Sequence, residues 1–221
     1  MHGSPHTVSD VMTHTAVAVG RDAPFKDVVA LMDQWKVSAV PVLEGEGRVI
    51  GVVSEADLLP KEEFRDSDPD RFTQRDRLAD LAKAGGVTAE ELMSAPAVTV
   101  HADATLAEAA RIMARRRVKR LPVVDGVGML EGIVSRADLL KVFFREDEEL
   151  CEEVRHEVVE RLFPLSADHI KVEVGEGVVT LTGWIGSTGL APVAERLARA
   201  VEGVVDVRCH LTPVSVRNEA G

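Results

Sequence analysis

Residues 8–59 and 89–140 align without a gap at a constant offset of 81, and about 19 of the 52 aligned positions are identical. Met12 pairs with Met93, Val17 with Val98, Asp22 with Asp103, Pro41-Val42 with Pro122-Val123, and Gly51 with Gly132. Both copies end alike, in Ser54-Glu55-Ala56-Asp57-Leu58-Leu59 and Ser135-Arg136-Ala137-Asp138-Leu139-Leu140. A duplication this close constrains the fold more than any other feature: the two copies must adopt one structure twice, and side by side they can close a single shared core.

Each copy carries the same succession of patterns. A helical turn at Val11-Met12 leads into an extended piece, Ala16 to Val19. Phe25, Val28, Val29 and Met32 then recur at helical spacing, as do Leu106, Ala109, Ala110 and Met113. The apolar runs Ala39 to Leu43 and Val49 to Val53, split by Glu44-Gly45-Glu46-Gly47, predict a strand pair with a Gly-rich turn. A last helix begins at Ser54 or Ser135, so the unit reads β-α-β-β-α. Between the copies, residues 60–88 are charged and polar; Leu78, Leu81 and Ala82 predict a short helix within an exposed excursion, read first as a solvated connector, with a lid closing over a cleft as the alternative.

After Leu140 the pattern changes. Leu150, Val154, Val158 and Leu162 predict one helix over 146–162, with acids crowding its first turns. An alternating strand, the turn Gly175-Glu176-Gly177 and a second strand read as a hairpin. A helix from Ala191 to Val201, with Val193, Leu197, Ala200 and Val201 inward, and a final strand from Val204 to Leu211 complete α-β-β-α-β. The fold class is thus α+β, with boundaries expected at 1–60 and 89–145 for the repeats, 61–88 for the insert, 146–214 for the last domain and 215–221 for a tail.

Composition narrows the function classes. With 37 acidic against 26 basic side chains, the formal charge of −11 argues against wrapping nucleic acid or holding anionic lipid by charge alone. Aromatic residues make up 4% and tyrosine is absent, so no base-stacking platform is expected. Met1 to Asp10 contain no signal-peptide pattern, and no apolar run is long enough to span a bilayer. Cys151 and Cys209 read as free thiols, which places the chain in a reducing cytoplasm. The seven histidines lack zinc-site partners, and Gly-x-Ser-x-Gly, P-loop and Rossmann fingerprints are absent. No catalytic residue, metal or obligatory cofactor is expected, and Trp35 and Trp184 read as packing residues.

The repeated Val40-Pro41-Val42 (Leu121-Pro122-Val123) and Gly-x-x-Ser-x-x-Asp-Leu-Leu, twice in register, resemble paired cystathionine-β-synthase-type (CBS) domains, the Bateman module. Residues 147–214 resemble the BON domain, through Gly177-Val178-Val179-Thr180-Leu181-Thr182-Gly183 and Val201-Glu202-Gly203-Val204-Val205-Asp206-Val207. The first resemblance implies adenine nucleotide (AMP, ADP or ATP) or S-adenosylmethionine as a regulatory ligand in clefts between the repeats, and a homodimer. The second implies phospholipid association; the acidic first helix equally suits an unidentified protein partner.

Ser54 with Asp57, and Ser135 with Asp138, permit two readings. Ser at a helix N-cap followed three residues later by an acid is a capping arrangement that needs no ligand. The same helix start suits a phosphate, and an Asp carboxylate suits the two hydroxyls of a ribose. The resemblance adds Thr13, His14 and Val17 bordering the purine, and Ser38 and Ala39 lining the pocket. Their counterparts in the second copy are Ser94, Val98, Lys119 and Arg120. Small Ser38-Ala39 against cationic Lys119-Arg120 predicts two unequal clefts, the cationic one holding more phosphate charge. Arg115 to Lys119 also suit a helix C-terminus without any ligand. The expectation is a ligand-sensing regulator with the last domain as output; a structural or interaction module without nucleotide is the alternative.

Overall fold

Thr7 and Thr88 occupy matching positions, and each is followed three residues on by an acid. Each therefore caps a one-turn helix, Val8–Val11 and Ala89–Leu92. Val87 N and Thr88 N donate to Glu91 at 2.7 and 3.2 Å, which holds the Glu91 carboxyl below its ordinary range. The two turns are exchanged between the repeats. Val8 N and Ser9 N donate to Ala104 O and Ala102 O at 2.8 and 2.9 Å; Ala89 N and Glu90 N donate to Ala23 O and Arg21 O, both at 2.9 Å. Ala89 and Leu92 are fully buried in a core with Val28, Met32, Val40, Val42 and Val53. The shared core is thus closed by each repeat lending its first turn to the other.

The computed structural model describes residues 6–65, 78–186 and 188–213, and the chain divides into two compact units, residues 7–139 and residues 140 onward with His6. The charged run 66–77 within the insert, the N-terminal residues 1–5 and the tail 215–221 lie outside the described residues.

In the first repeat, β1 (Val19–Gly20) pairs parallel with β2 (Ala39–Glu44), which pairs antiparallel with β3 (Arg48–Ser54). The second repeat has β4 (Arg120–Val124) against β5 (Leu130–Ser135). Its expected first strand shrinks to one parallel bridge, Val100 with Val123. The reason is local: Leu43 O accepts from Arg21 N at 3.2 Å, whereas at the matching position Val124 O lies 2.9 Å from His101 Nδ1.

Helices Phe25–Trp35 and Leu106–Arg116 bury Val28 and Met32, and Leu106, Ala109 and Met113. Val29 and Ala110, expected inward, are exposed, and Trp35 is 56% exposed at the helix end rather than packed. Both helices end on a non-glycine residue in the left-handed region, Lys36 at φ 52° and Arg117 at φ 57°. Gly51 and Gly132 recur for a steric reason: a Cβ on Gly132 would lie 2.6 Å from Thr13 O, and one on Gly51 would run into the Met93 side chain. The repeated glycines clear the path of the segment arriving from the other copy.

In the C-terminal unit, helix Asp147–Val154 continues as a π-helical stretch, Arg155–Glu160, where one regular helix was expected. Leu150, Val154 and Val158 pack on the sheet β6 (Ile170–Gly175), β7 (Val178–Ile185) and β8 (Asp206–Pro213), in that order, with β7 and β8 parallel. The hairpin turns through Glu176 and Gly177, both at positive φ, and their N–H groups donate to Asp147 at 2.8 and 2.9 Å. Helix Ala191–Arg199 faces the core with Ala194 and Ala198, not with Leu197 and Ala200, which are exposed. Small residues let it sit close to the sheet. Trp184, expected to pack, is 57% exposed on β7.

Candidate functional site

Strand β3 ends at Ser54, and Glu55–Leu58 opens the next helix. Ser54 N and Oγ donate to Asp57 Oδ2 at 2.8 and 2.6 Å, so the capping reading of this pair is realised. Ser135 N and Oγ make the same bonds to Asp138 Oδ2, at 2.9 and 2.6 Å. The capping leaves the second carboxylate oxygen of Asp57 for other work.

That oxygen meets the opposite repeat. The exchange carries residues 93–98 past β3, where Ser94 N donates to Val52 O at 2.9 Å and Val52 N to Ser94 O at 3.2 Å. Ser94 Oγ then donates to Asp57 Oδ1 at 3.0 Å. Arg120 Nε reaches across from β4 to Ser38 Oγ at 3.2 Å. These contacts enclose a cavity of about 340 Å³, lined by Ser38, Ala39, Ser54 and Asp57 from the first repeat and Ser94, Val98, Lys119 and Arg120 from the second. Val52, Pro96, Ala97 and Val118 supply aliphatic walls, and Arg117 adds a third cation. The volume lies in the range of small-molecule pockets. A neighbouring cavity of about 430 Å³ shares Ser38, Glu55 and Arg120 and adds Lys36 and Asp33.

This grouping corrects the expected division into one cleft with Ser38-Ala39 and another with Lys119-Arg120. Arg120, at the start of β4, bonds Ser38, just before β2, and both pairs line one cavity. Thr13, His14, Val17, Ser135 and Asp138 are not among its lining residues. Thr13 is bridged to Ile133, two residues before Ser135; His14 is exposed; Val17 packs against the first repeat's core.

The insert contributes a side chain to Asp57 that composition concealed. Its helix, Leu78–Gly85, carries Lys83, whose ammonium bonds Asp57 Oδ1 and donates to Ser94 Oγ at 2.9 Å. With the Lys83 side chain 18% exposed, this part of the insert is not a solvated connector. The Leu78, Leu81, Ala82 stripe signalled the helix; a lysine in a polar stretch signalled nothing.

The CBS-domain family model matches residues 8–61 and 89–145, which is half of the chain. The chain belongs to the CBS-domain family. The BON-domain model matches residues 146–213, so the two CBS repeats are followed by a BON domain. The protein MJ1426 of Methanocaldococcus jannaschii is 28% identical over 157 residues, covering 64% of this chain and 93% of that protein. CBSX2, a chloroplastic CBS-domain protein of Arabidopsis thaliana, is 29% identical over 62% of this chain. The chain spans 63% of CBSX2 and 31% of another M. jannaschii relative, MJ1404. A crystal structure of CBSX2 in complex with AMP is similar with a TM-score of 0.56 and 30% identity, over 63% of this chain and 97% of that one. Among the described residues, no group of His, Cys, Asp or Glu is placed to hold a metal, and no helix is long and apolar enough to cross a membrane.

Proposed function

We propose that this protein is a non-catalytic cytoplasmic regulator that binds an adenine nucleotide of the AMP type in its CBS pair and passes occupancy to its BON domain. The observation that carries the reading is the 340 Å³ cavity, where the capped carboxylate of Asp57 and the Ser94 hydroxyl face Arg117, Lys119 and Arg120 across aliphatic walls. Asp57 takes the ribose, the three cations take phosphate, and Ala39, Val52, Pro96 and Val98 hold the purine without an aromatic ring. The likeness to CBSX2, which binds AMP, supports the same ligand class here. The cations disfavour S-adenosylmethionine, whose sulfonium is itself positive.

A weaker ligand site is proposed at Ser135 and Asp138, beside Thr13, which is bridged to Ile133, with His14 and Val17 assigned to it by the family resemblance alone. Exposed Val29, Trp35 and Leu59 support a homodimer through the CBS repeats. In the BON domain, exposed Glu148, Glu149 and Glu152 favour a protein partner over an anionic bilayer. The two cysteines are free, in keeping with a reducing compartment.

The test is native mass spectrometry of freshly purified full-length protein, joined to thermal unfolding with AMP, ADP, ATP and S-adenosylmethionine. Phosphorylated ligands are expected to stabilise the protein by about 2.7 kcal/mol at a hundredfold excess over Kd. Unfolding curves unchanged by all four at millimolar concentration would falsify the reading and leave the alternative, in which Ser54-Asp57 only caps a helix.

A further inference from the structure

A carboxylate offers about four lone-pair positions, and Asp57 has four donors. Ser54 N and Ser54 Oγ occupy Oδ2, at 2.8 and 2.6 Å; Ser94 Oγ, at 3.0 Å, and the Lys83 ammonium occupy Oδ1. A ribose diol binds a carboxylate by donating to it, so it must displace one of these four. Three are built into the paired repeats. Ser54 is the end of β3 and the cap of its own helix, and Ser94 is fixed by its two backbone bonds to Val52. Lys83 alone belongs to neither repeat.

The insert helix Leu78–Gly85 that carries Lys83 is held where it is by separate contacts. Lys61 Nζ donates to Ala84 O at 3.0 Å and lies 5.2 Å from the centre of the Phe25 ring. The pair it delivers is shielded, with side chains 18% and 11% exposed for Lys83 and Asp57, so it is screened by salt less than a surface ion pair.

We propose that Lys83 is a built-in competitor for the sugar of the ligand: the insert helix supplies Lys83 to Asp57 Oδ1, and a nucleoside diol that takes this oxygen expels it. This rests on the nucleotide reading of the cleft and adds its regulation. Two consequences follow. Part of the ligand's binding free energy is spent displacing Lys83, which lowers affinity. Release of Lys83 also frees the insert helix, so occupancy of a cleft between the repeats is reported by a segment outside both of them.

The test uses the full chain and AMP. Isothermal titration of wild type, Lys83→Met, Lys83→Arg and Lys61→Met is paired with acetic anhydride labelling of Lys83 read by peptide mass spectrometry. Lys83→Met is expected to bind AMP roughly tenfold more tightly than wild type, the equivalent of one charge-assisted hydrogen bond no longer displaced. Lys83→Arg keeps the competitor and stays near wild type. Lys61→Met loosens the helix without touching Asp57 and tightens binding by less. Labelling of Lys83 rises when AMP saturates the wild type.

Equal or weaker AMP binding by Lys83→Met, as for a lysine that contacts phosphate, overturns the inference and leaves the nucleotide reading intact. So does Lys83 labelling that AMP leaves unchanged while the nucleotide binds. Absence of AMP binding in wild type and all three variants removes the nucleotide reading, and this inference with it.

Discussion

Asp57 and Asp138 are the same residue twice, and their capping bonds agree within 0.1 Å: 2.8 and 2.6 Å to Ser54, 2.9 and 2.6 Å to Ser135. Their surroundings do not agree. Asp57 is buried, with Ser94 and Lys83 on its second oxygen and three cations lining the same cavity, whereas Asp138 is only half-buried. Duplication copies what lies inside the unit. The segment joining the first copy to the second occurs only once, so whatever it contributes breaks the symmetry. Here it contributes Lys83.

The largest effect that would break this comparison is on AMP affinity. Asp57→Asn removes the charge from the one acceptor position that the ribose gains by displacing Lys83, worth about 1.5–3 kcal/mol, so affinity is expected to fall by roughly ten- to a hundredfold. Asp138→Asn is expected to change it less than about tenfold. Isothermal titration of the two variants measures both numbers. Equal losses would mean that the clefts bind alike and that the asymmetry around Asp57 has no bearing on the ligand.

The exchange of first turns supplies the next test, on stability. Leu92 and Val11 are equivalent by the offset of 81, with 0% and 9% exposure. Leu92→Ala leaves a cavity in the first repeat's core and is expected to cost about 2–5 kcal/mol. Val11→Ala removes less apolar volume from a less enclosed position and is expected to cost about 1–2 kcal/mol. Urea unfolding of the full chain, read through the transition of the CBS unit, gives both. A smaller loss at Leu92 than at Val11 would mean that the exchanged turn is not integral to the core it enters.

The exchange also marks the limit of what the sequence makes legible. Self-similarity revealed the two copies, their element order and the Ser-x-x-Asp ends, because those are properties of positions within a unit. It could not reveal that Ser94 sits with Ser54 rather than with Ser135, since alignment matches positions and is blind to which copy a segment packs on. Gly51 and Gly132 carried the trace of it, as repeated glycines facing Met93 and Thr13 from the other copy. Trp35 and Leu197 show a second limit. Periodicity assigns a residue to a helix, but whether that face is covered at the helix end depends on neighbours that periodicity does not encode. Lys83 was hidden for a third reason: charge marks a segment as solvated on average, and one lysine in it can still be drawn into an ion pair by a buried carboxylate.

The smallest effect separates the two helix ends, where Lys36 and Arg117 hold left-handed conformations at φ 52° and 57°. A non-glycine residue in that region costs about 1–2 kcal/mol, and glycine returns part of this through its larger entropy loss on folding. Lys36→Gly also gives up an exposed bond to Asp33 at 2.7 Å, which contributes little. Both Lys36→Gly and Arg117→Gly are therefore expected to stabilise the CBS unit by about 0.5–1 kcal/mol in urea unfolding. Only Arg117 lines the cavity with Asp57, so only Arg117→Gly is expected to weaken AMP, by roughly three- to tenfold, with a loss that shrinks as salt is raised. Lys36→Gly weakening AMP as much as Arg117→Gly would move the phosphate into the neighbouring cavity that Lys36 lines, and the two helix ends would then exchange the roles assigned to them.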